Sequence, residues 1–153
     1  MTYEKLVVLA EKAGALVFEQ SLPTSTLKGL NFQNFIVVDN ELQTEAEKLC
    51  ILAEEFAHFQ METGDILDQK NLGSAKKEKL ARALAYEKLV PVDSIIEAFE
   101  LHLQSREEFA DHLGVTEEFL EEAIRHYIDR HGPFKVHGEC VVYFEPLGVM
   151  KRV

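Results

Sequence analysis

From Thr44 to about Glu62 the chain spells a long helix whose inward-looking rows are broken by three groups that resist burial. Residues four apart share one helix face. Ala46, Cys50, Glu54 and His58 make one row and Ile51, Glu55 and Phe59 the next, with Leu49, Ala53 and Ala57 also on the apolar side. Thr44 and Glu47 fit the S/T-x-x-E capping box that opens a helix, and Gly64 stops it. Any fold that buries this helix must accommodate two carboxylates and an imidazole, because an ionised carboxylate without a partner is costly to take out of water.

A metal ion would account for all three groups at once. Residues i and i+4 can point at a single ion, which makes Glu54 and His58 a ligand pair. Glu55, beside the first ligand, faces the ion's open side, where it can take a proton from water that the ion has made more acidic. The letters Glu54-Glu55-Phe56-Ala57-His58 read E-E-x-x-H, which is the zinc-peptidase signature H-E-x-x-H with glutamate at its first position. A catalytic site of this kind also needs a third protein ligand. Glu78 lies 20 residues beyond His58, a separation that lets a second helix return to face the first. The same letters also suit a solvated acidic face with a polar or capping histidine. The inward rows and the spacing to Glu78 weigh against that reading.

Around this helix the pattern is α+β. Tyr3 to Lys12 has helical spacing and ends at Gly14, and Ala15 to Glu19 reads as a strand. Ser21 to Asn31 reads as a turn-rich loop, and Phe35 to Asp39 as a second strand. The two strands are expected to form a small antiparallel sheet. Asn71 to Ser74 is expected to be a loop, followed by a helix to about Val90, where Pro91 closes it and starts another from Val92 to about Leu103. Ser105 and Glu108 form a second capping box opening a helix to Leu113; Gly114 breaks it, and Thr116 caps a final helix to about Arg130. Phe134 to His137 and Glu139 to Phe144 suggest a short hairpin around Gly138. The expected organisation is residues 1–91 carrying the helix with the three groups, and residues 92–153 forming a helical segment with a C-terminal hairpin, packed on the first part.

Composition narrows the functions available. The net charge is −11, so most of the surface repels a polyanion, and direct nucleic-acid binding is not expected. Ser105 to Arg130 invites a helix-turn-helix reading, but three arginines there face eight acidic residues, which argues for packing or protein contact instead. No apolar run approaches the roughly 20 residues of a membrane helix. The first residues, Met1-Thr2-Tyr3-Glu4-Lys5, lack the basic region and cleavage site of a signal peptide, so a cytoplasmic location is expected. Cys50 and Cys140 read as two free thiols, neither in a C-x-x-C pair.

Two separated blocks resemble a known family. Lys28-Gly29-Leu30-Asn31-Phe32, Asn34 to Val38 and Ala46-Glu47-Lys48 lead into Leu52 to Phe59, and Glu78 to Pro91 follows as a glutamate preceding an A-x-x-x-A helix that ends in a hydrophobic residue and proline. These blocks, with Phe109 to Thr116 after them, resemble the ImmA/IrrE metallopeptidases over about residues 25 to 125, closest to the ImmA-like versions in phages and mobile elements. The resemblance implies a zincin-like N-terminal part with His58 as second histidine ligand, Glu55 as general base and Glu78 as third ligand. It also implies one divalent ion, zinc or a similar metal. Its implied partner is a phage or mobile-element repressor that the protein cleaves or inactivates. Glu54 departs from the family's usual histidine. Two carboxylates and one imidazole form a more oxygen-rich set, which shifts preference toward Mn²⁺ or Mg²⁺. A non-catalytic antirepressor that sequesters a regulator is the alternative from a different class.

The other histidines, His102, His112, His126, His131 and His137, are scattered and read as structural, with His102 or His112 weighed as replacement ligands. Arg82 and Tyr86, one and two turns beyond Glu78, are weighed as groups that polarise a scissile carbonyl, against simple packing or surface pairing.

Overall fold

The computed structural model describes residues 1–64 and 73–152, and within them the chain forms six helices and six strands. It divides into two compact units, Met1–Ala85 and Tyr86–Val153. The loop expected at Asn71 and Leu72 lies outside the described residues.

In the first unit, α1 (Tyr3–Lys12) precedes strands β1 (Leu16–Gln20), β2 (Gly29–Phe32) and β3 (Phe35–Asp39) and the long α2 (Glu45–Glu62). Thr2 and Thr44 cap the two helices, their hydroxyls accepting from Lys5 N and Glu47 N. The expected α+β arrangement, a small sheet with the long helix against it, is present. Its sheet is mixed, however, and not antiparallel: the order is β1-β3-β2, with β1 parallel to β3 and β2 antiparallel to β3. The cause is the extra strand. β2 reverses the chain once, and a tight turn through Gln33, at φ 54°, reverses it again, so β3 runs in the original direction between the other two.

The pleat sorts this sheet into two faces. Val17, Ile36, Val38, Gly29 and Asn31 share one face, and Leu16, Phe18, Phe35, Val37, Leu30 and Phe32 share the other. α2 packs on the first face, where Ile36 and Val38 are fully buried together with Leu52 and Ala53 of the helix. α1 buries Leu6 and Ala10 and packs against α2. After the undescribed residues, α3 (Ser74–Leu89) begins, and its Ala81 clusters with Ala57 and Met61 of α2, flanked by Leu80 and Leu84. Small residues at such a contact let two helices approach closely, and that approach decides what faces His58.

The second unit holds α4 (Val92–Glu100), α5 (Arg106–Leu113), α6 (Glu117–His131) and the antiparallel strands β4 (Phe134–His137), β5 (Cys140–Phe144) and β6 (Leu147–Lys151). α4 ends earlier than the sequence suggests, because the chain turns out at His102 with φ 60°. Ser105 and Thr116 cap α5 and α6, and Gly114 in the left-handed region ends α5. The expected C-terminal hairpin is two strands of a three-stranded sheet; β6 follows a turn at Glu145 and Pro146, beyond the last residue of the expected hairpin. Val142 and Phe144 are fully buried, Phe144 stacking on Tyr127, whose hydroxyl donates to Val90 O at 2.8 Å. No described helix is long and apolar enough to cross a membrane.

Candidate metal centre

Three elements of the first unit build the site: α2 supplies Glu54, Glu55 and His58, α3 supplies Glu78, and β2 supplies the wall behind Glu55. The Ala57–Ala81 contact draws α3 onto α2; His58 directly follows Ala57, and Glu78 lies three residues, about one turn, before Ala81. His58 Nε2 stands 3.0 Å from Glu78 Oε2. Arg82, one turn beyond, lies 3.4 Å from the other oxygen of Glu78, so Glu78 is held from both sides.

Glu55 sits where helix and strand come closest. A methyl group added to Gly29 would lie 2.6 Å from Ile51 Cγ2, 2.9 Å from Glu55 Cγ and 3.1 Å from Glu55 Oε1. Only a residue without Cβ lets β2 press against this part of α2. The same closeness desolvates the carboxyl. Burial first, then the charges of Glu54, Glu78 and Glu62, push the Glu55 carboxyl up from 4.5 to about 7. A carboxyl in that range can both take and give a proton near neutrality, as a general base requires.

Two further residues belong to the neighbourhood. Asn31 of β2, on the face toward α2, donates from Nδ2 to Glu62 Oε2 at 3.2 Å, and its Oδ1 is buried without a hydrogen-bond partner among the described residues. Sequence reasoning missed Glu62 and read Gly29 and Asn31 as loop. Glu62 continues the row of Glu54 and His58 by one more turn, a signal that was present in the spacing.

The donor types suit a divalent cation. A 3.0 Å separation between imidazole nitrogen and carboxylate oxygen is close to the roughly 3.3 Å that separates two ligands of one tetrahedral ion. Among the described residues, however, no three His, Cys, Asp or Glu side chains are assembled to hold an ion. The structure thus brings His58 and Glu78 together, with Glu55 beside them. Glu54 enters through the effect of its charge on Glu55, not as a member of a three-donor cluster.

The other candidates lie in the second unit. Tyr86 donates to Glu122 Oε2 at 2.9 Å and packs edge-on to Phe119, which is a packing role. His112 lies 3.6 Å from Glu97, His126 3.3 Å from Glu87 and His137 2.7 Å from Asp93, each paired with a carboxylate of its own unit. His102 is exposed and His131 lies near Tyr127 and Phe144.

A comparison with curated proteins finds no match. A family model described as the IrrE N-terminal-like domain of the M78 peptidases matches residues 10–125. That span takes in the mixed sheet, α2 with its E-E-x-x-H run and α3 with Glu78, and this chain belongs to the M78 peptidase family.

Proposed function

We propose that the protein is a metal-dependent endopeptidase whose substrate is a regulator protein of the repressor type. Family membership supports metallopeptidase-type function and implies a divalent metal, typically zinc. The observation that carries the reading to this chain is the placement of Glu55, pressed between α2 and Gly29, raised toward neutrality and set beside the His58–Glu78 pair.

In this reading His58, Glu78 and Glu54 hold the ion, Glu54 joining the other two by a change of side-chain rotamer. When bound there, a divalent ion supplies Lewis acidity toward water and the peptide carbonyl. Glu55 takes a proton from the attacking water as its oxygen bonds to the carbonyl carbon. The same carboxyl then delivers that proton to the amide nitrogen as the carbon–nitrogen bond breaks, leaving Glu55 ionised for the next cycle. Among the described residues β2 has a neighbour only on its β3 side, so its other edge can take an extended peptide. Arg82 holds Glu78 in place.

The regulator as substrate rests on the resemblance to ImmA-like proteins. Its test is incubation of purified chain, divalent metal and the repressor of the same genetic element. Glu55→Gln is expected to abolish fragments while folding and metal content persist; undiminished cleavage by that variant sinks the mechanism. A second reading, a non-catalytic antirepressor that sequesters the regulator, draws on Glu54 and on the lack of a three-donor cluster among the described residues. It expects repressor release without fragments and no tightly held transition metal.

A further inference from the structure

The N-terminal sheet has a face that no function above uses. Leu16, Phe18, Phe35, Val37, Leu30 and Phe32 form it in paired rows across β1, β3 and β2, with exposed Gln20 and buried Asp39 as the row at one end. Five of them are substantially exposed: Phe32 62%, Phe18 46%, Leu16 45%, Leu30 41% and Phe35 37%. The rings of Phe18 and Phe35 lie 5.8 Å apart and form a continuous aromatic surface. The one charged strand residue on this face, Asp39, is 5% exposed, and its carboxylate accepts from Glu41 N.

We infer that this face is the contact of a two-fold dimer, in which the sheets of two copies of this chain pack face to face. Area supports it. Side chains of these sizes at these exposures leave roughly 400–500 Å² of contiguous apolar surface, the size of the largest patch on a typical monomer, which is often functional. A standard interface buries about 800 Å² per partner, and homodimer interfaces are about 65% apolar, so the patch supplies about the apolar area that one half of a dimer needs. Charge selects the partner. At −11, two copies repel across most of their surfaces, and an uncharged face is where they meet without a like-charge cost. A basic partner would find no charge here to recognise. Twisted sheets with flat apolar faces pack in this way at about 10 Å separation. Glu55 and Gly29 lie on the opposite side of the sheet, so the dimer leaves the candidate metal centre uncovered.

Analytical ultracentrifugation of the full chain over a range of concentrations and salt tests this. The expected result is a monomer–dimer equilibrium that high salt does not weaken. Phe32→Asp, at the most exposed position, should raise the dissociation constant by about tenfold or more with an unchanged circular dichroism spectrum. Val136→Asp, at an exposed apolar position of the second unit, should leave dimerisation as it was. A wild-type chain that stays monomeric throughout overturns the inference. So does a dimer that Phe32→Asp leaves intact or that Val136→Asp dissolves.

Discussion

At the scale of single residues, Glu55 and Gly29 depend on each other. The raised Glu55 carboxyl means that the folded chain holds this proton more tightly than the unfolded chain does. Its stabilising share is therefore complete below about pH 4.5, falls as pH rises from 4.5 to about 7, and stays lost above that. A shift of that size corresponds to about 3 kcal/mol. In metal-free protein, Glu55→Gln should therefore raise unfolding stability by up to about 3 kcal/mol at pH 8 and leave it nearly unchanged near pH 4.5, as urea titrations at the two pH values would show. A variant with no gain at pH 8 would contradict the buried, like-charged environment of Glu55. Gly29→Ala forces a methyl into Ile51 and the stem of Glu55. It should cost about 1–3 kcal/mol and lower kcat more than KM, because it moves the proton-transferring group.

At the scale of elements, what was legible followed from local rules. α2, α5 and α6 begin at Thr44, Ser105 and Thr116, where each hydroxyl accepts from the amide three residues on, as the cap patterns indicate. Thr44→Ala should therefore cost about 1 kcal/mol, measured by denaturant unfolding, and should loosen the helix that carries Glu54, Glu55 and His58. β2 was not legible, because Gly29 and Asn31 are turn-type residues, and only tertiary contact with α2 makes a glycine the right strand residue there. Its omission also hid the reversal that makes β1 and β3 parallel. β6 was missed because the sequence reading stopped at Phe144, whereas Glu145 and Pro146 turn the chain into one more antiparallel strand. The spacing allowed Glu78 to face His58 and the family resemblance implied it, but whether Glu54 stands with them depends on side-chain geometry that neither determines.

At the scale of the whole molecule, acidity and the metal centre are linked. Burial first, and then Glu54, Glu78 and Glu62, raise the Glu55 carboxyl, so the metal-free site holds like-charge repulsion. An ion bound at this site would relieve it and stabilise the folded chain, by about 2.7 kcal/mol when free ion stands a hundredfold above its dissociation constant. A chelator should lower the melting temperature of metal-loaded protein, and His58→Ala should remove the difference between loaded and chelated samples. Equal melting temperatures for loaded and chelated wild type would remove the metal from the first unit. The glycine behind Glu55 has a further consequence in genetic terms. Every missense change that one base can make in a glycine codon installs a side chain with Cβ, so among the neighbouring codons of position 29 only the synonymous ones leave the contact intact. In a mutational library selected for activity, the residue at that position should stay as invariant as Glu55, although it contributes no reactive atom.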